Sequence, residues 1–219
     1  MTQNRPKARG SHHRDRGETR AAILDAAERI FAAAGLEGAR TDAIAAAAGV
    51  NKALLYYYFK SKHGLYRTVL EKHLSDFDRQ ANEVLDSRGS PRSILLRYIS
   101  LYFDFIGARP YYARLFQRVV MAEEKWLERM AREHFLPRSR KLLKVIERGK
   151  RSGEFRRLDS THTAISSIAL TLFYFSAAHV MRLVSGQDPY AKPNLARRKR
   201  EVLRFIRYAL FRKPEARVQ

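Results

Sequence analysis

Residues 41–59, TDAIAAAAGVNKALLYYYF, leave few folds open to this chain. They read as a short helix, a tight turn and a second short helix. Ala45 is small where the two helices must approach closely, and Gly49 stands where the backbone leaves the first helix, a place suited to a left-handed residue. Asn51 is positioned to cap the second helix, with Lys52 in its first turn. Leu55 and Phe59 are four residues apart and share one apolar face. Lys52, Ala53, Tyr56 and Tyr57 then fall on or near the other face. This is the pattern of a helix-turn-helix, whose second helix enters the major groove of DNA.

The rest of the composition agrees with a polyanionic partner. The formal net charge is +21 in 219 residues, which suits DNA, RNA or an anionic membrane surface. Hydrophobic residues make up 45% of the chain, enough for a real core of one or two domains. Cysteine is absent, so disulfides, thiol catalysis and cysteine metal sites are excluded, and a cytoplasmic setting is expected. The N-terminus carries no apolar signal core. Residues 164–184 are apolar for the length of a membrane span, but Ser166, Ser167, Thr171, Ser176, His179 and Arg182 interrupt them, and no membrane partner is expected.

In chain order, residues 1–17 carry Arg5, Lys7, Arg9, Arg14 and Arg16 against Asp15, with Pro6, Gly10 and Gly17 as breakers, and read as a basic, disordered arm. That arm either contacts DNA phosphates or is a solvated tail. Helix one is expected from Glu18 to Ala34, stopped by Gly35. Helix two is expected over 41–48 with Thr41 as its cap and Asp42 at its positive end, and helix three, the recognition helix, over 52–58. Ser61 caps a longer helix four, 61–86. Residues 18–64 thus form a DNA-binding domain that helix four connects to a regulatory and dimerisation domain, 65–219.

The ordered set Ile23, Ala26, Ala27, Phe31, Gly35, Ile44-Ala45, Ala48-Gly49-Val50, Leu55 to Phe59 and Ser61-Lys62 resembles the DNA-binding domain of the TetR family of bacterial transcription regulators. The resemblance runs from about Arg20 to Leu74. It implies an all-α protein in which a three-helix head is joined to a helical C-terminal domain. It also implies a homodimer on a near-palindromic operator, a small-molecule effector that releases DNA, and repression as the outcome.

Several residues are candidates for contact with double-stranded DNA. Lys52 is placed to read guanine through O6 and N7, or to act by charge alone. Asn51 can cap the helix and meet a phosphate, and Ala53 leaves room for close approach. The hydroxyls of Tyr56, Tyr57 and Tyr58 can bond phosphate and their rings can touch thymine methyls; Tyr58, and after it Tyr56, is expected to be partly buried, leaving Tyr57 for the bases. Lys62 matches a phosphate-binding lysine of the family. Two positions depart from the family pattern. Leu54 stands where a small polar residue is common and can make only an apolar contact. Arg40, next to Thr41, replaces the usual hydroxyl.

The C-terminal region is read as further helices around 94–106, 111–123, 125–149, 160–184 and 195–211, with Pro137 breaking or kinking the third and the basic run between Gly149 and Gly153 forming a loop. Aromatic residues crowd this region. Tyr102, Phe116, Trp126 and Tyr174 are candidate walls of an effector pocket with His179 as its polar handle, although an aromatic stripe at helical spacing is also what a plain core needs. The resemblance places the dimer interface on the last two major helices, with Ile168, Leu172, Val180, Val202 and Ile206 as its apolar contacts. No cofactor or metal is expected: there is no phosphate-binding glycine loop, no nucleophile elbow and no metal-ligand spacing, which also speaks against an enzyme. The main rival is a DNA-binding or architectural protein without an effector.

Overall fold

The computed structural model describes residues 11–121 and 125–212. The protein is all-α, and among these residues extended structure is limited to one isolated bridge between Phe155 and Phe211. The chain divides into two compact units between Lys72 and His73.

The first unit is built on α1 (Ser11–Gly38), α2 (Thr41–Ala47), α3 (Lys52–Phe59) and the start of α4 (Lys62–Leu85). Its core is Ile23, Leu24, Ala27, Phe31, Ile44, Leu55, Leu65, Val69 and Leu70, each at most 4% exposed. Phe31 and Tyr66 meet edge to face at 4.9 Å, the geometry favoured by ring quadrupoles.

Two expectations for this unit are corrected. Helix one starts at Ser11, not Glu18, so residues 11–17 of the anticipated arm are helical; residues 1–10 lie outside the described part. Gly17 fails to break the helix because a mid-helix glycine costs only about 1 kcal/mol relative to alanine. The residue that does break it is Gly35, at φ 73°, ψ −179°. The cap of α2 is Arg40, with extended backbone and no side-chain bond, and Thr41 is the first helical residue. Ile44 N donates to Arg40 O at 3.1 Å, which draws one more residue into the helix than a capping threonine would allow.

The second unit contains the rest of α4 with α5 (Pro91–Gly107), α6 (Tyr112–Met121), α7 (Lys125–Met130), a π-helical turn (Ala131–Phe135), α8 (Leu136–Arg151), α9 (Ser160–Ser176), α10 (Ala178–Ser185) and α11 (Lys192–Leu210). Ser90 caps α5 by accepting from Ser93 N at 3.2 Å. Its core gathers Phe77, Leu95, Tyr98, Ile99, Phe103, Phe105, Ile106, Val145, Ile146, Phe175, Val202 and Ile206.

The expected break at Pro137 is present, and two other C-terminal boundaries differ from expectation. Pro137 sits in the first turn of α8, where its missing N–H removes little, and the backbone widens into the π-helical turn just before it. Gly149 belongs to α8 rather than to a loop: it lets Phe155 close in, since a Cβ there would stand 2.6 Å from the ring. The helix expected over 160–184 is two helices, bent by 71° at Ala177. Neither glycine nor proline stands at that break. Contacts beyond it hold it: Tyr174 Oη donates to Pro189 O at 3.1 Å, and Tyr190 packs on Phe175 at 5.7 Å. Among the described residues no single helix is long and apolar enough to cross a membrane.

Candidate nucleic-acid interface

The turn between α2 and α3 is set by local chemistry. Ala48 closes α2, Gly49 takes φ 67°, and Val50 N returns to Ala45 O at 3.0 Å. The Asn51 side chain accepts from Leu54 N at 2.8 Å and so starts α3. At the other end Lys60, at φ 64°, is a non-glycine residue in the left-handed region; its N–H donates to Tyr56 O at 2.9 Å. Ser61 Oγ then accepts from Gly64 N at 2.9 Å to start α4. Gly64 is required by close approach, because a Cβ at that position would lie 2.3 Å from Phe59 O.

These constraints orient α3. Leu55 (0% exposed) and Phe59 (5%) face inward, with the Arg20 guanidinium over the Phe59 ring at 5.4 Å. Asn51, Lys52, Ala53, Tyr56 and Tyr57 are exposed, and Leu54 and Tyr58 are half-buried. Tyr57, at 61% exposure, projects furthest of the three tyrosines, packed edge to face on Tyr58 with the Lys60 ammonium over its ring. The expected partial burial of Tyr58 is present, and Tyr56, at 40%, is outward rather than tucked in.

Two lysines have partners that sequence spacing did not reveal. Lys52 Nζ lies 2.9 Å from Asp42 Oδ1 and 3.1 Å from Oδ2, joining α3 to the first turn of α2. This bond pulls the Asp42 carboxyl below its usual range and raises the Lys52 ammonium, the hydrogen bond being the larger cause for each. Lys62 Nζ donates to Glu37 O at 3.2 Å and Ala39 O at 3.3 Å, tying α4 to the end of α1 and the turn that follows it. Arg40 is exposed and Thr41 half-buried beside that turn.

The five C-terminal effector candidates do not converge on one cleft. Tyr102 is buried in an aromatic series running Tyr102–Phe77–Phe105–Tyr112–Phe116–Phe135, with successive centroids 5.0–6.0 Å apart. Trp126 is half-buried on α7. Tyr174 stacks near Phe103 at 6.4 Å and lines a separate cleft of about 240 Å³ with Met181, Pro189 and Arg197. His179 is exposed on α10.

Beside the aromatic series lies a polar cluster that the sequence did not announce. His134 Nδ1 is 2.5 Å from Asp78 Oδ2, Arg138 pairs with the other Asp78 oxygen, and the Arg138 guanidinium covers the Phe77 ring at 5.0 Å. Burial pushes the Tyr112 hydroxyl up to about 12 and raises Tyr98 and Tyr102 as well. Asp78 is 56 and 60 residues from these partners, beyond the reach of any local motif.

Of the interface candidates, Val180 is exposed and Ile168 and Leu172 are half-buried, while Val202 (2% exposed) and Ile206 (1%) face the core. The last two are thus interior residues of α11. Ile165, Phe173 and Phe205, which were not singled out, are the strongly exposed apolar residues of α9 and α11, together with Tyr208.

A helical head with an outward-facing recognition helix, followed by a larger helical unit, defines a helix-turn-helix transcription regulator. The family model "Bacterial regulatory proteins, tetR family" matches residues 23–69, and "Tetracyclin repressor-like, C-terminal domain" matches residues 91–206. The chain belongs to the TetR family. The transcriptional activator FasR of Mycolicibacterium smegmatis is 36% identical over 91 residues, which are 42% of each chain. The transcriptional repressor NicS of Pseudomonas putida is 27% identical over 170 residues, covering 74% of this chain and 78% of NicS. The structure of the ketosteroid transcriptional regulator KstR2 of Mycobacterium tuberculosis shares the fold, with a TM-score of 0.70 at 19% identity over 89% of this chain and 95% of KstR2.

Proposed function

We propose that the protein is a cytoplasmic, non-enzymic repressor that binds a near-palindromic operator as a homodimer and leaves it when a small apolar effector binds. The observation that carries this reading is the outward display of Tyr56 and Tyr57 beside Asn51, Lys52 and Ala53, opposite the buried Leu55 and Phe59. On this reading Tyr57 and Lys52 read bases, Lys52 exchanging Asp42 for guanine. Asn51, Tyr56, Arg40 and Thr41 meet phosphates, Tyr58 supports Tyr57, and Leu54 offers a methyl contact. Lys62 uses two of its three donors on the Glu37 and Ala39 carbonyls and has one left for a phosphate.

The dimer is proposed to form through α9 and α11, where Ile165, Phe173 and Phe205 are exposed and flanked by Ile168 and Leu172, with Val180 at the edge. Large apolar side chains left exposed on two packed helices are candidates for an interaction site. The effector is proposed to enter the aromatic series around Tyr102 and Phe116, where Asp78, His134 and Arg138 offer polar anchors. Tyr174 and His179 lie elsewhere and drop out of that pocket. Their scatter favours a second reading, a regulator without an effector.

Selection of bound sequences from random DNA tests the first reading. The wild type should select a two-fold site with half-sites spaced by whole helical turns, and Lys52→Ala and Tyr57→Ala should each relax the selected bases. An unchanged site in both variants would remove α3 as the reading helix. Failure of any apolar small molecule in a broad panel to shift operator binding would favour the effector-free reading.

A further inference from the structure

In the C-terminal unit, an open groove of about 970 Å³ runs between α5 and α11. Arginines dominate its rim, with Arg156, Arg200, Arg207 and Arg212 contributing, and Glu201 is the one acid of the lining. Among the described residues, the side chains of these four arginines have no acidic partner, and all four are exposed. Its floor is apolar, formed by Leu96, Leu203 and the buried Phe211. Arg92 braces the floor, with its guanidinium donating to Glu154 O and Arg212 O and lying 5.2 Å from the Phe211 ring centroid. At the lip, Tyr208 is 67% exposed, with the Arg204 guanidinium 5.8 Å from its ring centroid.

We propose that this groove binds a nucleotide carrying two or more phosphates, its phosphates on the arginine rim and its base on Tyr208 and the apolar floor. Three features select that ligand class. The rim uses guanidinium forks rather than lysine ammoniums, and forks pair two-pronged with phosphate oxygens. An apolar floor and an open aromatic ring suit a planar base, which an inorganic anion lacks. The concave shape and volume lie within the about 300–1,000 Å³ of small-molecule sites, whereas a DNA backbone is tracked by a basic surface without an apolar floor. Guanidiniums gathered around one groove repel one another, and a polyanion would relieve that repulsion.

The test is calorimetric titration of the full chain with ADP, adenosine and inorganic pyrophosphate. ADP should bind saturably at one site per chain, at least tenfold tighter than either fragment. The double variant Arg200→Ala/Arg207→Ala should weaken ADP at least tenfold with an unchanged far-UV circular dichroism spectrum and melting temperature. Arg200→Lys/Arg207→Lys should recover only part of the loss, and Tyr208→Ala should weaken ADP while sparing pyrophosphate. ADP that fails to bind at millimolar concentration, or binds the alanine variant as well as the wild type, overturns the proposal. So does a groove variant that lowers affinity for non-operator DNA while ADP binds neither protein, since the rim would then be a DNA-backbone contact.

Discussion

At the scale of single residues, two glycines separate conformational freedom from close packing. Gly64 leaves no room for a methyl group against Phe59 O, and forcing the backbone apart costs about 1–3 kcal/mol by the usual penalty of overpacking. Gly64→Ala should therefore lower the urea midpoint of the protein. Gly17 lies in the exposed part of α1, a Cβ there would meet nothing within 4 Å, and Gly17→Ala should stabilise by about 1 kcal/mol through helix propensity. The two substitutions are chemically identical, so equal shifts in the midpoint would contradict the packing account. Asn51 is a third case. Its capping bond to Leu54 N predicts a loss of about 1 kcal/mol for Asn51→Ala, seen in the same unfolding curves, together with weaker DNA binding as α3 frays. The cap and Gly49 were legible in the sequence because their effects act within a few residues. The partners of Lys52 and Lys62 were not, because Asp42 is ten residues away and the Lys62 acceptors are backbone carbonyls 23 and 25 residues away, and carbonyls carry no sequence signal.

At the scale of elements, helices are joined by side chains at their ends. Lys62 holds the end of α1 and the turn before α2 against α4, so Lys62→Met should lower the melting temperature of the head as well as weaken DNA binding. A phosphate contact alone would weaken binding without moving the melting temperature. The start of α9 is tied to α8 by Glu147, whose carboxylate accepts from the Ser160 hydroxyl and lies 3.0 Å from Lys150 Nζ. Ser160 first, and Lys150 after it, hold the Glu147 carboxyl below its usual range. A depressed pKa in the folded state means that the unfolded chain takes up the proton first as pH falls. The tie is therefore fully present above the ordinary glutamate pKa of about 4.3 and is lost as pH drops through the lower folded value. The wild type should accordingly lose more of its urea midpoint between pH 6 and pH 3 than Glu147→Gln does; an equal loss would show that the pair adds nothing. Helix bounds were mostly legible from caps and periodicity. The break at Ala177 was not, because contacts with Pro189 and Tyr190, more than ten residues later, hold it.

At the scale of the whole molecule, charge and exposed apolar surface make different demands. A net charge of +21 predicts DNA affinity that falls steeply with salt, because each neutralised phosphate releases a counterion. Measuring operator binding between about 50 and 200 mM salt should give a log–log slope of magnitude well above one. Ile165 and Phe205 are exposed on α9 and α11, so if the proposed dimer forms there, Ile165→Asp/Phe205→Asp should leave a monomer in sedimentation and weaken operator binding sharply, while a single head keeps its fold. A double variant that remains dimeric would move the interface elsewhere. Val202→Ala and Ile206→Ala should behave differently, destabilising the monomer through cavities in its core, because both side chains face inward.

The head was readable from sequence because its determinants are local: a left-handed glycine, a capping asparagine and two apolar residues one helical turn apart define the orientation of α3 before anything else packs. The family pattern and the all-α class followed from the same short-range signals. Tertiary structure alone decided the rest of the molecule's business. Helix α11 carries Val202 and Ile206 on one side and Phe205 and Tyr208 on others, and periodicity cannot rank apolar faces. Only packing against α5 and α9 shows which face is core, which stays exposed, and which edge lines an arginine-rimmed groove. The same holds for Asp78, His134 and Arg138, brought together from positions far apart in the chain. Short-range chemistry sets elements; contacts between distant elements assign their faces, and no residue carries those contacts by itself.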